Sequence, residues 1–493
     1  MPLTALIDAR KIVSFSGAST GAIINVTNPT GKLVFTMYPV SGSTEVIELP
    51  VTSFAGFDIP ANVTLALDAS LANGKAMYGL GTAIARARST GEDLSGYSLF
   101  TDQIYLSDGV AYTITASQAG ISQLGVSGVA RDLRSSNSAS KITVVATTSA
   151  DLREIRLDRN DAITLSTGIS YSLTGDQALI AKVGAGGLQG DLSAAGASLV
   201  SAAQGLDLSS LKLKATDTLE LAPGQDYVLT SGLVAIARVG SGGTLGNLTT
   251  AGAITVKAAL IGEDLSTLKA LGLDVFELSA GKAYTVTADQ MMLSRVGPSG
   301  ALGDTKAAGV ITVKAGACPD LSRLQTKSTD VIILDANADY RLTSDQAKIS
   351  KVTATGKSGD LTAAGQITVV ASPKGEDLSG FASKGVDFYD LSSGADYVLT
   401  TAQAKTAKVI GVGTLGDLRT AGNVTLIAQA SENLALSPIL GADEYRLLSN
   451  QTATLPNTLA YTLTWEQALK TRVQIGTVLG SYGDVSATKA TVC

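Results

Sequence analysis

The 493-residue chain contains no histidine. Without an imidazole, neither a Ser-His-Asp nor a Cys-His nucleophile system can be assembled, and a histidine-ligated zinc site is excluded as well. Proton transfer near neutral pH would have to use carboxylates or lysines with shifted pKa values. We therefore predict that the protein is not an enzyme.

Cysteine is almost as scarce, since the chain has only Cys318 and its last residue, Cys493. Two cysteines cannot staple a chain of this length, so a disulfide-framework fold is excluded. We interpret Cys493 as a free terminal thiol. A bond to Cys318 and a link between neighbouring molecules are the alternatives.

Long apolar runs and basic clusters are also missing. No apolar run approaches the ~18 residues of a membrane-spanning helix. The N-terminal stretch MPLTALIDARKIVSFSGAST lacks the apolar core of a cleaved Sec signal. With a net charge of −6 and no Lys/Arg-rich run, nucleic acid is not expected as a partner. Charged residues make up 16% and hydrophobic residues 45%, which favours a large buried core over disorder.

What the chain has in abundance is an internal repeat of about 57 residues. One tyrosine, followed three residues later by threonine, marks seven copies: Tyr112, Tyr171, Tyr227, Tyr284, Tyr340, Tyr397 and Tyr461. An acidic or amide residue before leucine keeps the same spacing: Asp93, Asp151, Asp207, Asp264, Asp320, Asp377 and Asn433. A second turn does so too: Asp132, Asp191, Asn247, Asp304, Asp360, Asp417 and Asp484. Markers in one register are the signature of a stacked-repeat protein.

One repeat divides further into short segments. In the fourth copy VFEL, YTVT, LSRV and ITVK are β-branched or alternating, which predicts strands. GEDLSTLKALG, TADQMM and GDTKAAG each have room for about one capped helical turn. We therefore predict an all-β fold, a β-solenoid with about three coils per ~57-residue repeat and short helical corners. The leucine after each corner aspartate should point inward.

The repeat also predicts the domain organisation. Residues 1–86 do not follow it: LVFTMYPV and EVIELPV predict a hairpin, VTLALD a third strand and residues 71–88 a helix. We expect this β-rich domain to cap the solenoid or to dock it to another component. Residues 87–430 are six full repeats. Residues 431–493 are a degenerate seventh repeat or C-terminal cap, in which TWEQALKTRVQ predicts a longer helix.

The acidic corners are the candidate sites. Stacked carboxylates and nearby backbone carbonyls are ligands that suit Ca²⁺, and three copies add a glutamate before the aspartate. The candidate metal ligands are Glu92, Asp93, Glu263, Asp264, Glu376 and Asp377. The competing interpretation, which we favour, is that each aspartate caps its own turn.

Two other patterns have competing interpretations. The Tyr-x-aliphatic-Thr run could present a threonine face to ice or glycan, but we favour a strand half buried in the core, followed by a glutamine that bonds to backbone in the corner. The stretches VGAGGLQGD and VGSGGTLGN lack the Lys-Ser/Thr of a phosphate-binding loop and predict turns.

The pattern GEDLS…DVFELSAG…YTVTADQ…GALGD…ITVKA, from residue 87 to about 480, resembles the β-strand-repeat segments of large bacterial surface proteins. These include surface-layer proteins and adhesins exported by type I secretion. The resemblance implies a lattice, filament or adhesive stalk at the cell surface, exported without a Sec signal and often ordered by calcium. This chain lacks the nonapeptide repeats of calcium-binding β-rolls.

We therefore expect a structural, extracellular protein that self-assembles into a surface layer or filament, with copies of itself and a cell-surface glycan as partners and Ca²⁺ as the one expected ion. An adhesive or receptor-binding fibre of the phage or injection-system type is the alternative. A polysaccharide-acting β-solenoid enzyme is a further alternative, but it needs clustered carboxylates or an Arg/Lys base in one groove, whereas the repeat spreads the acids evenly.

Overall fold

The computed structural model describes residues 2–29, 31–50, 53–135, 141–316, 319–411, 413–428, 431–449 and 459–493. Strands account for 39% and helices for 10% of the structure. The protein is thus predominantly β, as the sequence predicts. The chain divides into two compact units, one comprising Met1–Val256 with Lys269–Leu273 and the other comprising Lys257–Leu268 with Asp274–Cys493.

The N-terminal residues form strands Thr4–Ile7, Ile12–Ser16, Ile23–Thr27, Lys32–Tyr38, Glu45–Pro50, Gly56–Ile59, Thr64–Asp68, Ala76–Gly79 and Thr82–Arg86. The predicted hairpin is confirmed, because Lys32–Tyr38 pairs antiparallel with Glu45–Pro50. The third predicted strand, Thr64–Asp68, pairs in parallel with Ile23–Thr27 and with Thr82–Arg86. Thr82–Arg86 also pairs with Gln103–Leu106 of the first repeat. Hydrogen bonding therefore continues across residue 86.

The predicted helix over residues 71–88 is wrong. Only Ala69–Ala72 is helical, and two strands follow it. Gly79 explains the difference: its φ is +91°, and a Cβ there would lie 2.1 Å from the carbonyl oxygen of Ile59. The glycine thus allows two backbones to approach closely where a helix could not continue.

Each repeat contains the same series of elements. The acidic corner is a two-residue strand or a short turn: Glu92–Asp93, Ala150–Asp151, Leu206–Asp207, the 3-10 turn Leu265–Thr267, Glu376–Asp377 and Glu432–Asn433. The strand before the tyrosine spans Gln103–Leu106, Ala162–Leu165, Thr218–Leu221, Val275–Leu278, Val331–Leu334, Phe388–Leu391 and Glu444–Ser449. The tyrosine strand spans Tyr112–Thr115, Tyr171–Thr174, Tyr227–Thr230, Tyr284–Thr287, Tyr340–Thr343, Tyr397–Thr400 and Ala460–Leu463.

A short helix follows each tyrosine strand. The helices are Ala116–Ala119, Gly175–Ile180, Ser231–Ile236, Ala288–Met292, Ser344–Ile349, Thr401–Thr406 and Trp465–Leu469. Behind them come strands Ser122–Leu124, Ala181–Val183, Ala237–Val239, Ser294–Val296, Ser350–Val352, Ala407–Val409 and Thr471–Ile475. The repeat ends with strands Ile142–Ala146, Ser198–Ala202, Ile254–Lys257, Ile311–Lys314, Ile367–Val370 and Val424–Ala428. The last strands of the chain are Val478–Leu479 and Lys489–Val492.

The four predicted strands of the fourth copy are confirmed within one residue, as is the helix in TADQMM. GDTKAAG is a hydrogen-bonded turn instead of a helix, with the N–H of Ala308 donating to the carbonyl of Thr305 at 3.0 Å. The longer helix predicted in TWEQALKTRVQ is also wrong, because the chain leaves Trp465–Leu469 for strand Thr471–Ile475.

The strands of the repeats pair in parallel, and equivalent positions of different repeats have equivalent partners. In the first unit Glu92 faces Tyr112, Tyr112 faces Ile142, Val144 faces Ile163, and Ile163 faces Ala181. The second unit shows the same pairing. Because partners share a register, their alternate side chains point to the same face.

The inward face of these strands is apolar. The tyrosine strands alternate buried and half-buried residues, which confirms that they are strands with one side in the core. The predicted inward leucines are each at most 1% exposed: Leu94, Leu152, Leu208, Leu265, Leu321, Leu378 and Leu434. Burying each contributes roughly 1.5–3 kcal/mol.

Candidate functional site: the acidic corners

Each corner aspartate is bonded to its own turn. The Oδ1 of Asp93 accepts hydrogen bonds from the N–H of Ser95 at 2.9 Å and from its hydroxyl at 2.6 Å. Ser379 binds Asp377 at the same two distances, and Ser266 makes both bonds to Asp264. The capping interpretation of these aspartates is therefore confirmed.

The paired glutamates bond in the opposite chain direction. Glu92 accepts from the N–H of Arg88 at 2.7 Å, Glu263 from Ala259 at 2.7 Å and Glu376 from Ser372 at 3.2 Å. Each carboxylate thus closes a five-residue turn that leads into the corner. This role was not predicted from the sequence, although the glycine directly before each glutamate (Gly91, Gly262 and Gly375) is a visible turn signal.

The two acids of a corner therefore diverge, because neighbouring residues of a strand point to opposite sides. The glutamate reaches back to residue i−4 and the aspartate forward to residue i+2. In the described part of the chain, no group of three or more acidic or cysteine side chains is placed to hold a metal ion. Ca²⁺ prefers six to eight converging oxygens, so the corner residues fit such a site poorly.

Several corner carboxylates have lowered pKa values. The guanidinium of Arg419 donates to Asp417 at 2.9 and 2.7 Å and lowers the pKa of that carboxyl to about 2. The Arg134 side chain lowers the pKa of Asp132 in the same way. At Asp264 burial raises the pKa, but hydrogen bonds from Ser266 and Lys314 outweigh it. These carboxylates stay ionised and bonded, which suits a structural role.

The threonine and glutamine of the repeat build a capping box at the corner helix. In the fifth copy the hydroxyl of Thr343 accepts from the N–H of Gln346 at 3.2 Å, and the side chain of Gln346 accepts from the N–H of Thr343 at 2.8 Å. The glutamine also donates to the carbonyls of Leu321 and Leu324, at 2.7 and 2.9 Å. The glutamine therefore connects its helix to the backbone of the acidic corner in the same repeat, as the sequence predicted.

The third copy shows what happens without the glutamine. Leu233 takes its place and is 2% exposed, and the hydroxyl of Thr230 still accepts from its N–H at 3.3 Å. The cap survives while the second half of the box is lost. The glutamine is thus a structural group that one copy replaces with an apolar one.

The repeated tyrosine makes a third structural contact. The phenol of Tyr171 accepts from the N–H of Ser166 at 3.0 Å and donates to the carbonyl of Ala146 at 2.8 Å. Tyr284 does the same with Ser279 and Ala259. Burial raises the pKa of Tyr227, so its phenol keeps its proton over the neutral range. The marker side chains of the repeat are therefore joined to backbone groups.

The remaining predicted features are simple. The glycine-rich stretches are turns: in VGAGGLQGD the N–H of Gly190 donates to the carbonyl of Ala181 at 2.8 Å. Cys493 is an exposed free thiol, as predicted. Cys318 lies outside the described residues.

None of the helices in the described ranges has the length and hydropathy that a membrane crossing needs.

Comparison of the chain with protein-family models, with curated proteins and with solved structures finds no match. The repeat and the geometry of its side chains are therefore the basis on which we infer the function.

Proposed function

We propose that this protein is a structural β-solenoid that assembles with copies of itself into a layer or filament at the cell exterior. One observation supports it above the others: the tyrosine, threonine, glutamine and aspartate of the repeat all bond to backbone groups. The tyrosine and threonine recur in seven copies and the glutamine and aspartate in six, which favours a stiff scaffold over a reaction centre.

The pairing distances support three coils per repeat. In the second unit paired residues lie 27, 19 and 18 positions apart, for Tyr284 with Ile311, Thr312 with Val331 and Ile332 with Ser350. Asp264 also bridges to Thr285, 21 positions on. Three strands spaced ~4.8 Å apart would advance the coil about 14 Å per repeat.

Assembly is supported by two strands that, in the described part of the chain, lie at the edge of a sheet and pair with another strand on one side only. Glu45–Pro50 is the last strand of its seven-stranded sheet, and Lys489–Val492 is the last strand of its three-stranded sheet. Such edges present unpaired N–H and carbonyl groups that another chain can bind. We propose that neighbouring copies of the chain pair with each other through these edge strands.

Calcium is proposed as an ion that orders the array between copies, because a single corner does not supply the six to eight converging oxygens that Ca²⁺ prefers. A cell-surface glycan is the second partner proposed. The protein has no catalytic role in this proposal. A trimeric fibre, the alternative from the sequence, predicts a particle of three chains.

The test is negative-stain electron microscopy and mass measurement of the purified protein, either with chelator or with about 5–10 mM Ca²⁺, which exceeds the ~0.1–1 mM Kd of extracellular calcium modules. We expect sheets or filaments. Ala490→Pro should abolish them, because the N–H groups of Lys489 and Cys493 point to the neighbouring strand and the N–H of Ala490 therefore points outward.

Circular dichroism of the Ala490→Pro variant serves as the folding control. A wild-type chain that stays monomeric at every concentration and in both ion conditions contradicts the assembly proposal. A stable trimer of finite length would instead support the alternative function, an adhesive or receptor-binding fibre.

A further inference from the structure

One cleft in the first unit gathers four guanidinium groups. It has a volume of about 450 Å³ and is lined by Arg134, Arg153, Arg156 and Arg159. The carboxylates that line it are Asp158 and Asp176, and each of the four guanidinium groups lies within 4.0 Å of an aspartate oxygen. We call it the arginine cleft.

The repeat itself shows that these arginines are not required for the corner turn. The position of Arg153 is occupied by serine in five other copies: Ser95, Ser209, Ser266, Ser322 and Ser379. Ser209 bonds to Asp207 through its N–H and hydroxyl at 3.0 and 2.6 Å, and Arg153 bonds to Asp151 through its N–H at 3.1 Å. The turn forms with either residue, so the guanidinium is an addition in this copy.

The arginines are held in fixed orientations. Nε and Nη2 of Arg153 donate to Asp151 at 2.9 and 2.6 Å, and the same atoms of Arg134 donate to Asp132 at 2.9 and 2.6 Å. These bonds engage one edge of each planar fork. The Nη1 donors lie on the other edge, where they can bind a second oxyanion without reorganising the side chain.

A second cleft continues the first. It has a volume of about 440 Å³ and shares Arg159, Asp176, Ile180 and Leu206 with the arginine cleft. Its further lining includes Gln189, Ser209 and Ser210, which offer amide and hydroxyl groups. The two clefts therefore form one groove, with guanidinium groups at one end and amide and hydroxyl groups beside the Asp207 carboxylate at the other. An elongated groove suits a chain-like ligand better than a single small ion.

We propose that this groove binds an acidic oligosaccharide through its carboxylate or sulfate groups. Arginine forks match planar oxyanions and form charge-assisted hydrogen bonds with them. Gln189 and Ser210 can bond to sugar hydroxyls, and Ile155, Leu157 and Leu206 offer apolar contacts to the C–H faces of the rings. Among the described lining residues there is no aromatic ring for base stacking, which disfavours single-stranded nucleic acid.

This binding goes beyond the assembly proposal and is independent of it, because the groove lies within one unit of one chain. The test is isothermal titration calorimetry of the full chain with tetragalacturonate, with a heparin tetrasaccharide and with maltotetraose. We expect both acidic probes or one of them to bind, at least about 10-fold more tightly than the neutral probe, with affinity that falls as salt rises.

Arg153→Ser is the deciding variant, because five other copies form the turn with serine at this position. It should weaken acidic binding by about 10- to 100-fold, the loss expected for a hydrogen bond to a charged group. Arg419→Ser is the matched control: Arg419 holds Asp417 in an equivalent turn through the same atoms and lines neither cleft. The Arg419→Ser variant should bind the acidic probes with the same affinity as the unsubstituted protein.

The two acidic probes separate carboxylate from sulfate recognition. Absence of binding to both at about 1 mM, a threshold that corresponds to ~4 kcal/mol, would overturn the proposal. The proposal would also be overturned if the Arg153→Ser and Arg419→Ser variants lost the same affinity for the acidic probes, or if the protein bound maltotetraose as tightly as it binds those probes. A failure of self-assembly would leave these results unaffected, so the two proposals can fail separately.

Discussion

Replacing Gln346 with leucine tests whether the repeated glutamine holds successive strands together. Gln346 is 1% exposed and takes part in three side-chain bonds to the backbone, to Thr343, Leu321 and Leu324. The variant removes all three bonds and leaves the two leucine carbonyls without this donor. The third copy already carries leucine at this position, so the fold should survive.

The magnitude follows from the bonds lost. Each net hydrogen bond contributes about 0.5–1.5 kcal/mol, so three contribute roughly 1.5–4.5 kcal/mol. The new leucine side chain offsets part of this loss through its buried apolar area, by at most about 1.5–3 kcal/mol. We therefore expect the variant to lower the free energy of unfolding by about 1–3 kcal/mol.

Urea unfolding followed by circular dichroism measures this loss, and hydrogen exchange locates it. We expect faster exchange around Leu321 and Leu324 than in distant repeats, because repeat proteins open locally. Gln366→Leu is the matched control, since the side chain of Gln366 is exposed and the change should cost less than about 0.5 kcal/mol. Equal effects of the two variants would refute the reasoning.

Two further predictions concern the corners. Leu265→Asp should cost at least about 3 kcal/mol, because it removes buried apolar surface and buries a charge, whereas Lys269→Asp should stay within about 0.5 kcal/mol; comparable urea midpoints would contradict this. Since the folded pKa of Asp417 is about 2, below its ordinary 3.8, its stabilising contribution is present above pH ~4 and is lost as pH falls toward ~2. Arg419→Ser should raise that pKa, as ¹³C-carboxyl titration would show, and an unchanged value would argue against the arginine as its cause.

The sequence predicted the strands of the repeat because their alternation is a local property. It also predicted the inward leucines and the capping aspartates, since both depend on residues a few positions away. It failed where partners are distant. The stretch around Gly79 has a helical composition, but its backbone lies against Ile59 in a parallel pair, and a single chain segment carries no signal of such a neighbour.

By itself the sequence determined the period, the β-rich class, the half-buried tyrosine strands and the absence of imidazole chemistry. Only the tertiary structure decided what the repeated side chains contact. The Gln346 amide reaches carbonyls more than 20 residues away, and Arg134 joins Arg153 in one cleft, because parallel stacking brings together residues about one coil apart. Local propensity encodes the strand, but its register against the next strand comes from burial of the shared apolar face.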